Sequence, residues 1–244
     1  MKQWMLLIIF SCSLFAALAQ KATDNQLTKA EKKEGWQLLF DGVSDKGWNW
    51  AGKSGFPDKG WVIKDGTISV EPITGQGAFG SLDIISDKQY SAFELSFDFN
   101  VSPGGNSGVK YFVTLDYHNT PLGLEYQVLD DSLHPDAKAG RDGDRTMASL
   151  YDLIKAEKKP AFIHQPGNWN TGRVIVYPDN HVEHYLNGVK VLEYDRGSTA
   201  FKDLIAMSKY KDYPNFGLAR QGYILLQYHG NKASFKNIKI KPLQ

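Results

Sequence analysis

Apolar and polar residues alternate with a period of two over much of the chain, as they do in strands that bury one face. The cleanest run is Phe93 to Val101. Phe93, Leu95, Phe97, Phe99 and Val101 fall on one side, and Glu94, Ser96, Asp98 and Asn100 on the other. Val109, Tyr111 and Val113 continue an apolar face and leave Lys110 and Phe112 opposite. In Gly123-Leu-Glu-Tyr-Gln-Val-Leu-Asp-Asp131, the apolar set is Leu124, Tyr126 and Val128. Glu125, Gln127 and Leu129 point the other way, with Asp130 and Asp131 at the strand end. Tyr223 to Gly230 repeats the design: Ile224, Leu226 and Tyr228 are apolar, and Gln227 and His229 face away from them. The pattern predicts a β-scaffold that brings these two polar faces together.

Turn chemistry divides the rest. Asp65-Gly66, a favoured tight-turn pair, joins two β-rich runs of a hairpin over Trp61 to Val70. Arg173 to Tyr177, His181 to Leu186 and Val189 to Glu193 read as a three-stranded meander with turns at Pro178-Asp-Asn180 and Asn187-Gly188. Gly35 to Gly42 reads as the first strand and turn, and Ser81 to Ile85 as another strand. Helix is sparse. Thr28 and Glu31 have the spacing of a capping box. Thr199 to Tyr210 has a helical pattern, with Phe201, Leu204, Ile205 and Ser208 on one side. His134 to Met147 has no apolar period, and a long loop in a compact domain is often functional. About a dozen short strands predict an all-β, two-sheet jelly-roll sandwich rather than a parallel α/β fold. It forms one domain over residues 35–244, after a linker with a short helix at 20–34.

The 244 residues are 42% hydrophobic and carry a net charge of +1, so there is material for a large core and no field suited to nucleic acid. Residues 1–19 read as a signal peptide: Lys2 starts it, Met5 to Leu18 is mostly apolar, and Ala17-Leu-Ala19 fits a cleavage site. The apolar run is too short for a comfortable membrane span. Its Cys12 is the sole cysteine, and too little apolar sequence precedes it for a good lipoprotein signal. The mature chain is therefore expected to be exported, periplasmic or secreted, and held without disulfides. Gly75-Gln-Gly77 does not open a convincing helix, so it is not a dinucleotide fingerprint.

Several segments occur in a telling order: Gly35-Trp-Gln-Leu-Leu-Phe-Asp-Gly42, Asn106-Ser-Gly-Val109, Gly123 to Asp131, Ser149-Leu-Tyr-Asp-Leu153, Trp169-Asn170, His184-Tyr-Leu-Asn-Gly188, Leu226-Gln-Tyr-His-Gly230 and Phe235-Lys-Asn-Ile238. Together, over roughly Gly35 to Leu243, they resemble the 3-keto-disaccharide hydrolase family. The resemblance implies a concanavalin A-like jelly roll of the lectin/glucanase type. It implies activity on glycosides oxidised at C3 of the sugar, with a separate sugar oxidoreductase as pathway partner. Where many members have an aromatic-Arg pair after Asn-Ser-Gly, this chain has Lys110 followed by Tyr111-Phe112.

Such a substrate needs a base near C2, a donor or cation at the C3 oxygen, and an acid near the leaving oxygen. Glu125 is the first candidate for the base; the plain alternative is a solvated sheet carboxylate. His229 is a candidate acid, base or ligand. His134 and Lys138 open the irregular loop, one suited to proton transfer and the other to an enolate, unless the loop is only a charged, mobile segment. Gln127 and Gln227 are candidate sugar binders or surface amides. Asp130 can orient a neighbour, and Lys110, Trp169 and Lys209 are further candidates for contact with substrate. His184 shares a face with Val182 and Leu186, the pattern of a core histidine, although its context matches the family. Glu125, Asp130, His134 and His229 are one conceivable ligand set for a divalent metal, but no compact ligand motif is present. Two other readings stay open. One is a lectin-like module stacking sugars on Trp48, Trp50, Trp61 and Trp169. The other is a conventional glucanase, whose Glu-x-Asp-x-x-Glu motif is interrupted here by Gln127.

Overall fold

The computed structural model describes residues 23–73, 82–117 and 120–244. The predicted leader with Cys12, the Gly75-Gln-Gly77 stretch and Ser81 lie outside the described residues. The chain opens with helix α1 (Lys29–Lys33), capped as predicted: Thr28 accepts from the Glu31 N–H and the Glu31 carboxylate accepts from the Thr28 N–H. Strands β1 (Gln37–Leu38), β2 (Trp48–Trp50), β3 (Trp61–Lys64), β4 (Thr67–Val70), β5 (Ile84–Tyr90) and β6 (Phe93–Val101) follow. Then come β7 (Asn106–Tyr117), β8 (Thr120–Leu129), β9 (Asn170–Val176), β10 (His181–Leu186) and β11 (Val189–Asp195). Helix α2 (Thr199–Ala206), β12 (Gly222–Leu226) and β13 (Ala233–Pro242) complete it.

The strands form two antiparallel sheets, the expected jelly-roll sandwich. The larger runs β11-β10-β9-β6-β13-β4-β3, with β1 also paired to β13; the smaller runs β2-β5-β12-β7-β8. The core lies between their inner faces, where β6 alternates buried and half-buried residues along its whole length. The Phe97 ring meets the Tyr126 ring edge-on at 5.2 Å, joining the two sheets. An aromatic ring buried this way contributes enough that truncation to Ala costs about 3–5 kcal/mol. The β3–β4 hairpin turns at Asp65 and Gly66, both at positive φ, and pairs Lys64 with Thr67.

The structure corrects the predicted facing of β7. Pairing with β8 jumps from Tyr111–Leu124 to Thr114–Leu122, so β7 carries one extra residue, and Phe112 sits at φ +52°. This bulge turns Phe112 into the main core beside Tyr111. It sends Val113 to a small outer cluster with Ile85 and Leu225. Other boundaries shift less. The strand expected from Ser81 begins at Ile84. The expected helix over Thr199 to Tyr210 ends at Ala206, with Ser198 as its cap and Phe201 buried. Strand β12 stops at Leu226, before Gln227 and His229, although the Gln227 N–H still bonds the Gly108 carbonyl at 2.9 Å. No helix among the described residues is long and apolar enough to cross a membrane.

Candidate active site

Because Leu124, Tyr126 and Val128 enter the core, Glu125 and Gln127 of β8 lie on the opposite face of the smaller sheet. The neighbouring strands bring Lys110 and, from the segment after β12, Gln227 and His229 to the same place. The two polar faces thus meet, as the alternation predicts. They floor a cleft of about 620 Å³, within the usual range for a small-molecule site. Asp83, just before β5, lies in it, and Asp136, Tyr151, Lys209, Tyr210 and Tyr213 wall it.

Glu125 is 4% exposed and stands opposite Lys110 in the β7–β8 ladder, Nζ to Oε2 3.9 Å. Burial raises its carboxyl above the ordinary range; the Lys110 and Lys209 charges pull it back, and Asp136 pushes it up. Room for this side chain comes from Gly108: a Cβ there would lie 2.4 Å from Glu125 Oε1. Lys209 follows α2, its ammonium 4.2 Å from the Tyr151 ring centre and 5.1 Å from that of Tyr210. Burial lowers its affinity for the proton, and Glu125 opposes that shift.

His229 Nε2 lies 3.4 Å from Asn106 Nδ2, and its Nδ1 3.3 Å from Asn231 Oδ1. Burial depresses its pKa, which favours the neutral imidazole. Three polar atoms lining the cleft are buried and without a partner among the described residues: Asn106 Oδ1, Gln127 Nε2 and Gln227 Oε1. Buried polar groups normally find partners, so this clustering points to hydrogen bonds with a ligand.

The irregular segment after β8 closes one side. His134 caps a turn of 3₁₀ helix over Pro135–Lys138, its Nδ1 accepting from the Asp136 N–H. That turn aims Asp136 at the cleft and leaves Lys138 exposed, away from the lining. The Lys138 expectation is corrected accordingly. Arg145 donates to Asp136 at 2.9 Å and to Asp152 at 2.7 Å; Tyr151 donates to Asp136 at 2.8 Å; Asp152 accepts from the Lys209 N–H at 2.7 Å. The loop, Tyr151 and Lys209 are therefore fixed by one charged network.

Other predicted residues fall elsewhere. The His134 ring packs against His229 at 5.8 Å between centroids and is not among the residues that line the cleft. Asp130 turns its carboxylate to Gly104 N–H and to the N–H and hydroxyl of Ser132, which holds it ionised as the anchor of a turn. His184 is fully buried in the core: its Nδ1 donates to the Ala148 carbonyl at 3.0 Å and its Nε2 accepts from the Tyr111 hydroxyl at 2.7 Å. Trp169 lies against Lys236 of β13, in the other sheet. Trp48 and Trp61 are core residues and Trp50 stacks with Lys53, so the four tryptophans do not form a sugar platform.

Glu125, Asp130, His134 and His229 do not converge as metal ligands. Among the described residues, the His/Cys/Asp/Glu group whose ligand atoms approach within 4.8 Å is His181, Glu183 and Glu193 on the larger sheet. Lys190 bridges those two glutamates, at 2.9 and 2.5 Å.

Sequence reasoning passed over Asp83, Asn106, Asp136, Tyr151, Tyr210 and Tyr213 as site residues. Asn106 and Tyr151 lie inside two of the ordered motifs. Asp83 carries no pattern signal, since it sits between apolar residues in Leu82-Asp-Ile84.

The profile of the 3-keto-alpha-glucoside-1,2-lyase-like domain matches residues 35–241. A curated protein of Bacteroides thetaiotaomicron named 3-keto-disaccharide hydrolase is 36% identical over 238 residues, spanning 86% of this chain and 79% of its own. A solved structure from Parabacteroides distasonis, provisionally described as a glycosyl hydrolase, matches with TM-score 0.79 and 34% identity over 91% of this chain and 100% of that one. A second, likewise described and from the same organism, has TM-score 0.64 and 26% identity, covering 85% of this chain and 99% of that one.

Proposed function

The chain belongs to the 3-keto-alpha-glucoside-1,2-lyase-like family and is a glycoside-cleaving enzyme, and on that premise we propose that its cleft cleaves glycosides oxidised at C3. The ketone acidifies the C2 proton. Glu125 removes it, and Lys110 and Lys209 balance the charge that moves onto the C3 oxygen. The C1–O bond then breaks by β-elimination, and water adds to the resulting enone at C1, giving net hydrolysis. The unpaired amide atoms of Asn106, Gln127 and Gln227 suit the hydroxyls of the sugar.

One observation carries this reading. The buried Glu125 carboxylate, desolvated enough to be a stronger base than usual, faces the cleft with the charges of Lys110 and Lys209 acting on it. Gln127 stands where the glucanase strand motif needs its middle carboxylate, which weighs against conventional hydrolysis.

The test is to incubate the purified chain with a glucoside and with its 3-keto derivative. Cleavage of the keto form alone is the expected result; equal cleavage of both contradicts it. We also propose that the chain acts after export, with a separate sugar 3-oxidoreductase forming its substrate. The leader-like residues 1–19 support the first part, and the N-terminal sequence of the mature protein tests it.

A further inference from the structure

The cleft holds a second buried carboxylate that the scheme above does not use. Asp83 is 1% exposed and lines the cleft with Glu125. Its surroundings fix it from several sides. The Tyr228 N–H donates to its Oδ1 at 2.7 Å, and its own carbonyl accepts from the Ala51 N–H at 2.8 Å. The Trp61 indole N–H holds the preceding Leu82 carbonyl at 2.7 Å. A carboxylate held this firmly beside a reacting centre is suited to directed proton transfer.

We propose that Asp83 is the general acid that gives its proton to the departing glycosidic oxygen. The inference rests on the elimination reading. In the forward step Glu125 takes the C2 proton, the electron pair forms the C1=C2 bond, and the C1–O bond breaks as Asp83 protonates its oxygen. In the hydration step the Asp83 carboxylate takes a proton from water as the oxygen bonds to C1. Glu125, its proton exchanged with solvent while the enone waits for water, then protonates C2, so both groups end as they began.

The charged surroundings fit this division. Lys110 on β7 faces both acids and favours ionisation of each, while Glu125 on β8 favours the protonated form of Asp83. Among the described residues, the other titratable groups lining the cleft are Asp136, Tyr151, Lys209, Tyr210, Tyr213 and His229. Burial pushes the Asp83 carboxyl up to about 6, so it keeps a proton where an exposed aspartate has lost it. Burial moves His229 the opposite way, toward a neutral ring that is a poor proton donor.

The test uses two 3-keto-glucosides, one a disaccharide with a sugar alcohol as leaving group and one carrying 4-nitrophenol, which needs little protonation to leave. Asp83→Asn should lower kcat/KM for the disaccharide about 10²- to 10³-fold and for the nitrophenyl glycoside less than about tenfold. An equal loss on both substrates, in a variant that unfolds at the wild-type temperature, overturns the assignment. A second readout needs no variant. Wild-type cleavage of the disaccharide should fall as pH rises past the Asp83 titration, while nitrophenyl cleavage does not. Parallel alkaline limbs for the two substrates also overturn it. Wild-type enzyme inert toward both would remove the elimination reading and this role with it.

Discussion

Glu125 occupies the space that any side chain at position 108 would need. Gly108 pairs with Gln127, two residues along the ladder from the Lys110–Glu125 pair, and its missing Cβ lets Oε1 lie against the backbone. Gly108 has no positive φ, so alanine there is a test of space rather than of backbone strain. Gly108→Ala should push the carboxylate out of place and lower kcat about 10- to 100-fold, as small misplacements of a reacting group do. Thermal unfolding beside steady-state kinetics checks it. Unchanged kcat in a folded variant would mean that Glu125 has no fixed working position.

Lys110 holds down the pKa of the base it faces. Burial has already raised Glu125, and the ammonium opposes that rise. In Lys110→Met the carboxyl should ionise at higher pH, so the acidic limb of the pH–kcat profile should move toward alkaline pH. Maximal kcat should also fall, because a charge facing the enolate is gone. A lower maximum with an unmoved acidic limb would separate Lys110 from the titration of the base.

The two polar strand faces were legible because period-two alternation survives in β6, β8 and the segment after β12. Bulges and turns were less so. Tyr111-Phe-Val113 offers three apolar residues in a row, and no pattern says which pair shares a face once Phe112 bulges. In the loop after β8 the sequence marked the right region and the wrong side chain. A 3₁₀ turn capped by His134 places Asp136, not Lys138, on the cleft, and Arg145 fixes that choice by pairing with Asp136. Asp83 and Asn106 take their meaning from strands far away in sequence, which local pattern cannot show.

His184 ties folding to pH without entering the cleft. Burial pushes its folded pKa down to about 4 from an ordinary 6.5. Between those values the unfolded chain binds a proton that the folded chain does not. The stability is therefore full above pH 6.5 and is lost as pH falls toward about 4, by up to ~3 kcal/mol. Urea unfolding at several pH values should show this decline, and His184→Gln should be weaker at pH 7 yet flatter below it. Equal slopes in both proteins would assign the acid sensitivity to other groups.

The central claim is that the C2–H bond breaks while Glu125 is the base. The most direct measurement is cleavage of a 3-keto-disaccharide in D₂O, followed at once by borohydride reduction and mass analysis of the released sugar. A control with the keto product and no enzyme corrects for spontaneous exchange. The account predicts one solvent deuterium at C2 per cleavage event, and neither cleavage nor deuterium uptake above the control with Glu125→Gln. Released sugar with C2 deuterium no higher than the control would contradict an elimination in which C2 is reprotonated from solvent.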